Sequence, residues 1–376
     1  MGDAAMLQAI VGMLGRISPG CGVSALVSHP GYTMERLPGI RAEIDRWPWP
    51  VLEKPGALSV LFYPFIFAGN ILTAAAYRAF RRRIYFNPEF SGPLSRFIDC
   101  DVVISPGGDF IGPHYFFATS FGEILIAKIL GKKVVICAQT IGPFYGLLRG
   151  WLAAPVLNMA DLIMVREKAT KERLERIGVK GVHLTNDLAF ALDVEGLDGC
   201  VRERSVIICP KRVREGHAKY VSGMRELAGR IRSELGMDVI ILPTDQYDVV
   251  FQKEMAEGVE RISTVRPPQE IARIIARSEF VVSSRMHGII LGIHSATPFF
   301  AIGDSQKFHE ILGAFNDCTI GLDELDSEGI GRIISAIRSR KSLAKSIRDA
   351  FPLVRSQSIE NERLMGRRFR EWGLLG

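Results

Sequence analysis

The sequence predicts an α/β protein made of two open parallel-sheet domains facing a cleft. Short apolar runs bounded by turn residues alternate with helix-period segments along most of the chain, the pattern of parallel strands joined by helices. The chain has 376 residues, more than one ordinary domain, so two is the natural division. Residues 193–204, DVEGLDGCVRER, are polar and glycine-containing. They mark a boundary between a domain over 1–195 and a domain over 196–376.

Composition removes several function classes. Net charge is +6, from 47 basic and 41 acidic residues, an excess too modest for a nucleic-acid footprint, and no nucleic-acid partner is expected. The six cysteines, at 21, 100, 137, 200, 209 and 318, include no C-x-x-C pair. That spacing indicates a reducing compartment and no zinc site. No H-E-x-x-H occurs, and no metal is expected. The start lacks the basic region and flush apolar core of a signal peptide, so a cytoplasmic location is expected.

Taken in order, Met1-Gly2-Asp3 runs straight into AAMLQAIVGML, an apolar helix pattern with Asp3 as its N-cap. An α/β domain ordinarily opens on a strand. The first strand is therefore expected upstream of Gly2, the alternative being a fold that begins on a helix. Val23–Ser28 reads as a strand. From Pro55 to Tyr77 the chain has 23 residues without a charge, followed at once by Arg78, Arg81, Arg82 and Arg83. Length alone allows a membrane span, but Pro64, Gly69 and Asn70 interrupt it. The run then reads as a buried helix pair, or as an apolar element whose arginines meet anionic lipid at a membrane surface.

The alternation sharpens after Asp99. Asp101–Ser105 is a buried strand ending in Pro106-Gly107-Gly108-Asp109, then Phe110–His114. Paired glycines after a strand permit close backbone approach to a ligand, and a tight turn uses them equally. A helix over 121–130 leads to strand 133–138, which ends in Gln139-Thr140-Ile141-Gly142-Pro143. Strand 162–165 delivers Arg166-Glu167, the next helix stops at Gly178, and strand 183–185 leads into Asn186-Asp187-Leu188-Ala189-Phe190. In the second domain, strands at 205–209 and 238–242 alternate with helices at 217–235, 246–258 and 269–278, and helices near 305–315 and 328–370 close the chain. Between them lies Ser283–Lys307: a strand end, a turn carrying Arg285 and His287, a helix over 286–296 and a strand at 298–302. Nothing acidic occurs between Arg285 and Gly303. Ligands of open α/β sheets bind beyond the carboxyl strand ends, and helix N-termini there attract anions. The stretch suits a small, strongly negative ligand.

Six pieces in this order resemble the polysaccharide pyruvyl transferase family: Gly2-Asp3, Pro106-Gly107-Gly108-Asp109, Gln139-Thr140-Ile141-Gly142-Pro143, Val165-Arg166-Glu167, Asp187-Leu188-Ala189-Phe190 and Ser284-Arg285-Met286-His287. The resemblance implies two Rossmann-like domains in a glycosyltransferase-B-like arrangement. It also implies transfer of a pyruvyl ketal from phosphoenolpyruvate to a sugar of a surface glycan or its lipid-linked precursor. Phosphoenolpyruvate is then the donor substrate, and no cofactor is expected. Arg166, Arg285 and His287 are the enolpyruvate-binding residues that the resemblance implies, with Met286 between the last two. The family's usual first strand and glycine loop have no counterpart before Gly2.

The residue types fit on their own terms. A ligand with a carboxylate and a phosphate suits two guanidiniums, each able to grip an oxyanion through two N–H groups. Protonation of the enol carbon near neutral pH suits histidine, so His287 is the candidate general acid, a phosphate ligand, or both. Lys307, on a loop after the last strand, is a further phosphate candidate, and His114 follows the glycine turn. Asp109 and Asp187 help shape the cleft and read equally as loop formers and as acceptor-sugar ligands or bases. Gly107, Gly108, Gln139 and Gly142 shape the cleft. The ordinary alternatives are a surface ion pair for Arg166 and Glu167, a hydrogen-bonded core histidine for His287, and a structural role for His294. At the level of function, two other readings stay open. One is a nucleotide-sugar glycosyltransferase of the same architecture; the other is a catalytically silent subunit of a glycan-assembly complex.

Overall fold

The computed structural model of the protein describes residues 2–27, 40–44, 57–112, 117–144, 147–197, 200–213, 215–255, 259–261, 264–303, 305–315 and 318–375. The chain separates into two compact units. One comprises Ile10–Thr185 with Glu360–Gly376, and the other comprises Met1–Ala9 with Asn186–Ile359.

The chain opens on α1 (Gly2–Ile17), whose residues up to Ala9 belong to the 186–359 unit, and the 10–185 unit continues through β1 (Ser24–Val27) and β2 (Arg41–Ile44) to α2 (Ala57–Phe80) and α3 (Ser91–Asp99). It continues through β3 (Val102–Ser105), β4 (Gly108–Ile111), α4 (Phe117–Ile129), β5 (Lys133–Ile141), α5 (Leu147–Leu157), β6 (Leu162–Val165), α6 (Lys168–Arg176) and β7 (Val182–Leu184). The main sheet has the order β3-β5-β6-β7, with β4 also pairing β5, and every pairing is parallel. β1 and β2 form a separate parallel pair. The strands are short apolar runs because helices cover both faces of a parallel sheet. Leu94, Phe97, Ile124, Ile136 and Ile163 lie in the core of this unit.

The 186–359 unit holds β8 (Glu203–Cys209), α7 (His217–Leu235), β9 (Asp238–Ile241), α8 (Gln246–Met255), β10 (Glu260–Arg261), α9 (Pro268–Ala276) and β11 (Ser278–Ser283). They are followed by α10 (Met286–Ile293), β12 (Phe299–Ile302), α11 (Ser305–Leu312), β13 (Thr319–Ile320), α12 (Ser327–Arg338) and most of α13 (Arg340–Glu371). Its six strands are parallel in the order β10-β9-β8-β11-β12-β13. The chain builds outward from β8 in one direction, then returns to β8's other side and builds outward again. The strand order therefore reverses between β8 and β11, and beyond the carboxyl ends of such a pair open α/β sheets bind ligands.

Several expectations need correcting. The uncharged run forms one continuous helix, α2, with Pro64 inside it, and not a buried helix pair. Much of its described outer face is exposed. No described helix is long and apolar enough to cross a membrane. Asp3 lies within the first turn of α1 and does not cap it. Asp109 sits in β4, and β5 runs on through Gln139 and Thr140 to Ile141. The closing helical stretch is two helices, with a C-cap at Ser339.

Candidate functional site

The turn between β11 and α10 is shaped by its serines. Ser283 Oγ donates to the Arg285 carbonyl at 2.7 Å and accepts from the Arg285 N–H at 3.0 Å. Ser284 N–H donates to the Cys209 carbonyl at 2.9 Å, which ties the end of β11 to the end of β8. Arg285 is the N-cap residue of α10, so its side chain starts at the point of strand-order reversal. A side chain at position 288 would crowd Cys209 Sγ, at 3.2 Å from the added carbon, so Gly288 lets α10 lie close to β8.

Arg285 meets a carboxylate. Its Nε donates to Asp248 Oδ2 at 3.0 Å and its Nη2 to Asp248 Oδ1 at 2.7 Å. Asp248, in the first turn of α8, is fully buried and also accepts from the Arg212 N–H at 3.0 Å. Burial alone lowers the Arg285 pKa, but the hydrogen bonds and charge of Asp248 outweigh it and raise it above the ordinary arginine value. Tyr220 stands behind the turn. Its hydroxyl is 2.7 Å from Ser284 Oγ and accepts from the Lys211 N–H at 3.2 Å. Burial pushes that hydroxyl's pKa up, so it stays protonated. The buried Cys209 thiol is likewise pushed up, to about 12, and is no nucleophile at neutral pH.

His287 lies in the first turn of α10. Its Nε2 is buried with no hydrogen-bond partner and stands 3.7 Å from Asp187 Oδ2. The Asp187 carboxylate is fully buried and accepts from the Ala189 N–H at 2.9 Å, holding the turn Leu188–Ala191. Ser358 Oγ donates to the Asp187 carbonyl at 2.7 Å. On the other side of the ring, Gly2 packs so closely that an added Cβ would lie 2.3 Å from His287 Nδ1. One ring therefore gathers the start of α1, the 187–191 turn and the head of α10. His294 is a separate matter: its Nε2 lies 2.8 Å from the Ala189 carbonyl, and burial lowers its pKa to about 4. That is a structural histidine.

The 10–185 unit carries its own polar cluster at the carboxyl ends of β3, β5 and β6. Gln139 is fully buried and donates through Nε2 to Ser105 Oγ and to the Pro106 carbonyl, both at 2.6 Å. It thereby clamps the Pro106-Gly107 turn, where Gly108 adopts φ +124°. Arg166 is buried, not on the surface. Its Nε donates to Thr140 Oγ1 at 3.0 Å and lies 3.7 Å from Glu167 Oε1. Glu167 accepts from Thr140 at 2.6 Å and from Thr170 at 2.8 Å. Gly142 takes φ +79° and its N–H donates to the Ile111 carbonyl at 2.7 Å.

Within the 186–359 unit Arg285, Met286, His287 and Asp187 come together at one sheet edge. Within the 10–185 unit Gly107, Gly108, Asp109, Gln139, Gly142 and Arg166 do so at another. Met286 is buried. Lys307 falls in α11 and not on a loop, because Phe308, Ile311 and Leu312 form a buried helical stripe. His114 lies outside the described residues. Asp248 and Tyr220 were not legible as site residues. The one local signal for Asp248 was an acid shortly beyond a strand end, in Thr244-Asp245-Gln246-Tyr247-Asp248.

Known proteins resemble this chain at two levels. A sequence model described as polysaccharide pyruvyl transferase matches residues 1–306. The amylovoran biosynthesis protein AmsJ of Erwinia amylovora is 22% identical over 316 residues, which are 74% of this chain and 72% of that protein. Among solved structures, a protein described as a UDP-N-acetylglucosamine 2-epimerase from Listeria monocytogenes has a TM-score of 0.65 at 14% identity, over 100% of this chain and 95% of its own. The UDP-GlcNAc 2-epimerase of Neisseria meningitidis, bound to UDP-GlcNAc, has a TM-score of 0.62 at 11% identity, over 98% of this chain and 97% of its own. At such identities the structural likeness speaks for the fold alone, an α/β fold with two parallel sheets of the glycosyltransferase-B-like kind.

Proposed function

Because the chain belongs to the polysaccharide pyruvyl transferase family, we propose that it moves the enolpyruvyl group of phosphoenolpyruvate onto a sugar as a pyruvyl ketal. The observation that carries this reading is the β11–α10 turn, which sets Arg285 and His287 at the strand-order reversal of the 186–359 sheet. A guanidinium with a fixed plane suits a phosphate or carboxylate. The unsatisfied, buried Nε2 of His287 is a polar atom awaiting a partner, and such atoms are uncommon in folded proteins without a functional reason. The acceptor in this reading is a glycan or a lipid-linked oligosaccharide at a membrane surface. Exopolysaccharide biosynthesis is the setting, a role that the name of the amylovoran biosynthesis relative supports, and the reading places it in the cytoplasm or on the inner face of the cytoplasmic membrane.

His287 gives a proton to the methylene carbon of the enol, which becomes a methyl group, and the neighbouring carbon acquires oxocarbenium character. One acceptor hydroxyl adds there, phosphate departs with its bridging oxygen, and the second hydroxyl adds to close the ketal. Of the two hydroxyl protons released, one restores His287 and the other leaves with hydrogen phosphate. Arg285 neutralises an oxyanion throughout, and Asp187 orients the imidazole. Arg166 enters the proposal as an oxyanion-binding residue at the end of β6, its guanidinium held by Thr140.

The test is ligand linkage followed by turnover. Phosphoenolpyruvate at 100 times its dissociation constant should stabilise the protein by about 2.7 kcal/mol, whereas a nucleotide-sugar panel should not. Arg285→Lys, and separately Arg166→Lys, should weaken that binding by about 1.5–3 kcal/mol with the fold intact. His287→Gln should keep binding and lose about 10²–10⁴-fold in phosphate release with an oligosaccharide panel. Stabilisation by a nucleotide sugar and not by phosphoenolpyruvate would replace the reading with glycosyl transfer. Binding without phosphate release from any acceptor would favour a silent subunit.

A further inference from the structure

α2 packs on its unit through Ala74, with Ile66, Ile71 and Tyr77 against the core, and two of its polar side chains turn inward with them. Asn70 and Thr73 are buried; Asn70 Oδ1 accepts from Asn87 Nδ2 at 3.0 Å, and Thr73 Oγ1 accepts from the Phe86 N–H at 3.1 Å. Asn87 Nδ2 also donates to the Ile66 carbonyl at 2.8 Å, so the chain after α2 folds back along its polar side. Gly69 leaves room for that return, since an added Cβ would lie 2.4 Å from Asn87 Nδ2.

The outward side is apolar. Phe65 is 73% exposed, Leu72 53% and Phe80 69%, and Pro64, Ala68, Ala75 and Ala79 are exposed between them. The returning segment adds exposed Ile84 and Phe86. α2 packs on α4 and α4 on α5, and α5 presents Trp151, 76% exposed. A helix on a water-facing surface places its apolar stripe inward, and an extended exposed apolar set marks a docking surface.

Charge identifies the occupant. No Asp or Glu occurs between Glu53 and Glu89. Arg78, Arg81 and Arg82 are exposed at the carboxyl end of the apolar face, while Arg83 pairs with Asp99. An apolar strip bordered by cations, with no acid in its own segment, matches an anionic lipid surface, with rings at the acyl boundary and guanidiniums among head-group phosphates. We propose that the outer face of α2, with the segment 81–86, docks this protein peripherally on an anionic membrane surface. This rests on the surface alone, so it stands or falls separately from the reaction.

The experiment is co-sedimentation of the full chain with phosphatidylglycerol–phosphatidylcholine vesicles and with phosphatidylcholine vesicles, at low and high salt. Wild type should pellet with the anionic vesicles at low salt and be released by high salt. An arginine near such a surface contributes about 1 kcal/mol, or about fivefold in partitioning. Arg81→Glu with Arg82→Glu should therefore weaken binding by at least about 25-fold. Phe65→Ser with Phe80→Ser should weaken it while leaving the thermal midpoint unchanged, since both rings are exposed. Protein that stays in the supernatant with anionic vesicles at low salt overturns the proposal. So does binding that neither double variant alters. A dimer in ultracentrifugation that Phe65→Ser with Phe80→Ser dissociates, without vesicle binding by either form, would make the face a contact between copies. Release from membranes only by detergent would overturn the peripheral mode.

Discussion

His287 is held by shape on one side and by a carboxylate on the other. Gly2 fills the space beside Nδ1 with bare backbone, and Asp187 stands 3.7 Å from Nε2. A single methyl group at Gly2 would land inside the ring's van der Waals surface, so Gly2→Ala must displace either α1 or the imidazole. Small misplacements of a catalytic group cost on the order of 10²-fold in rate. Phosphate release by Gly2→Ala should fall by about that much, with a smaller change in the urea midpoint. Wild-type turnover would show that the close packing is incidental. The same logic explains why Arg285 meets Asp248. A buried carboxylate with two guanidinium hydrogen bonds fixes the plane of the fork.

At the scale of elements, α2 shows how hydrogen bonds decide the way a helix faces. Its 55–77 environment carries no charge to define a solvent side, so Asn70, Thr73 and the returning Asn87 define the inner one. Asn87→Ala removes the side-chain amide that serves buried Asn70 Oδ1. Leaving a buried acceptor without that donor costs about 1–3 kcal/mol, and urea unfolding should register the loss. An unchanged midpoint would mean that water takes the place of the amide. The β11–α10 element depends similarly on Ser283, whose hydroxyl bridges the Arg285 N–H and carbonyl and holds Arg285 at the helix cap.

Across the whole molecule, acid should act on both units through histidine. Burial lowers the pKa of His294 in the 186–359 unit to about 4. Burial, followed by the charge of Arg368, lowers that of His183 in the 10–185 unit. The unfolded chain takes up protons near the ordinary 6.5, whereas folded His294 does so only near 4. Stability therefore rises with pH across that window. The His294 contribution is whole above the ordinary value and is lost as pH falls toward the folded one. At pH 5 the loss amounts to about 2 kcal/mol. Urea unfolding at pH 7.5 and pH 5 should show it, and His294→Gln should flatten most of that slope. An equal slope in the variant would assign the acid sensitivity elsewhere.

The sequence by itself determined most of the strand–helix alternation and the chemical vocabulary. Apolar runs such as Val206–Cys209 and Val134–Cys137 are strands because a parallel sheet is covered on both faces. The helix at 217–235 was legible to its ends because Gly236 can take the left-handed cap. Arg285 and His287 were legible as candidates because they follow such a strand. Only the tertiary structure decided where those residues stand. Strand order put β11 beside β8 and not beside β10, which sets Arg285 and His287 at the reversal. Asp248, Tyr220 and Gly2 entered the site from 37, 65 and 285 positions away along the chain, counted from Arg285 or from His287. Arg166 turned out buried, and Asn70 and Thr73 of α2 turned inward. Local periodicity reports whether a face is covered. What covers it depends on contacts between distant segments, whose pairing no local pattern encodes.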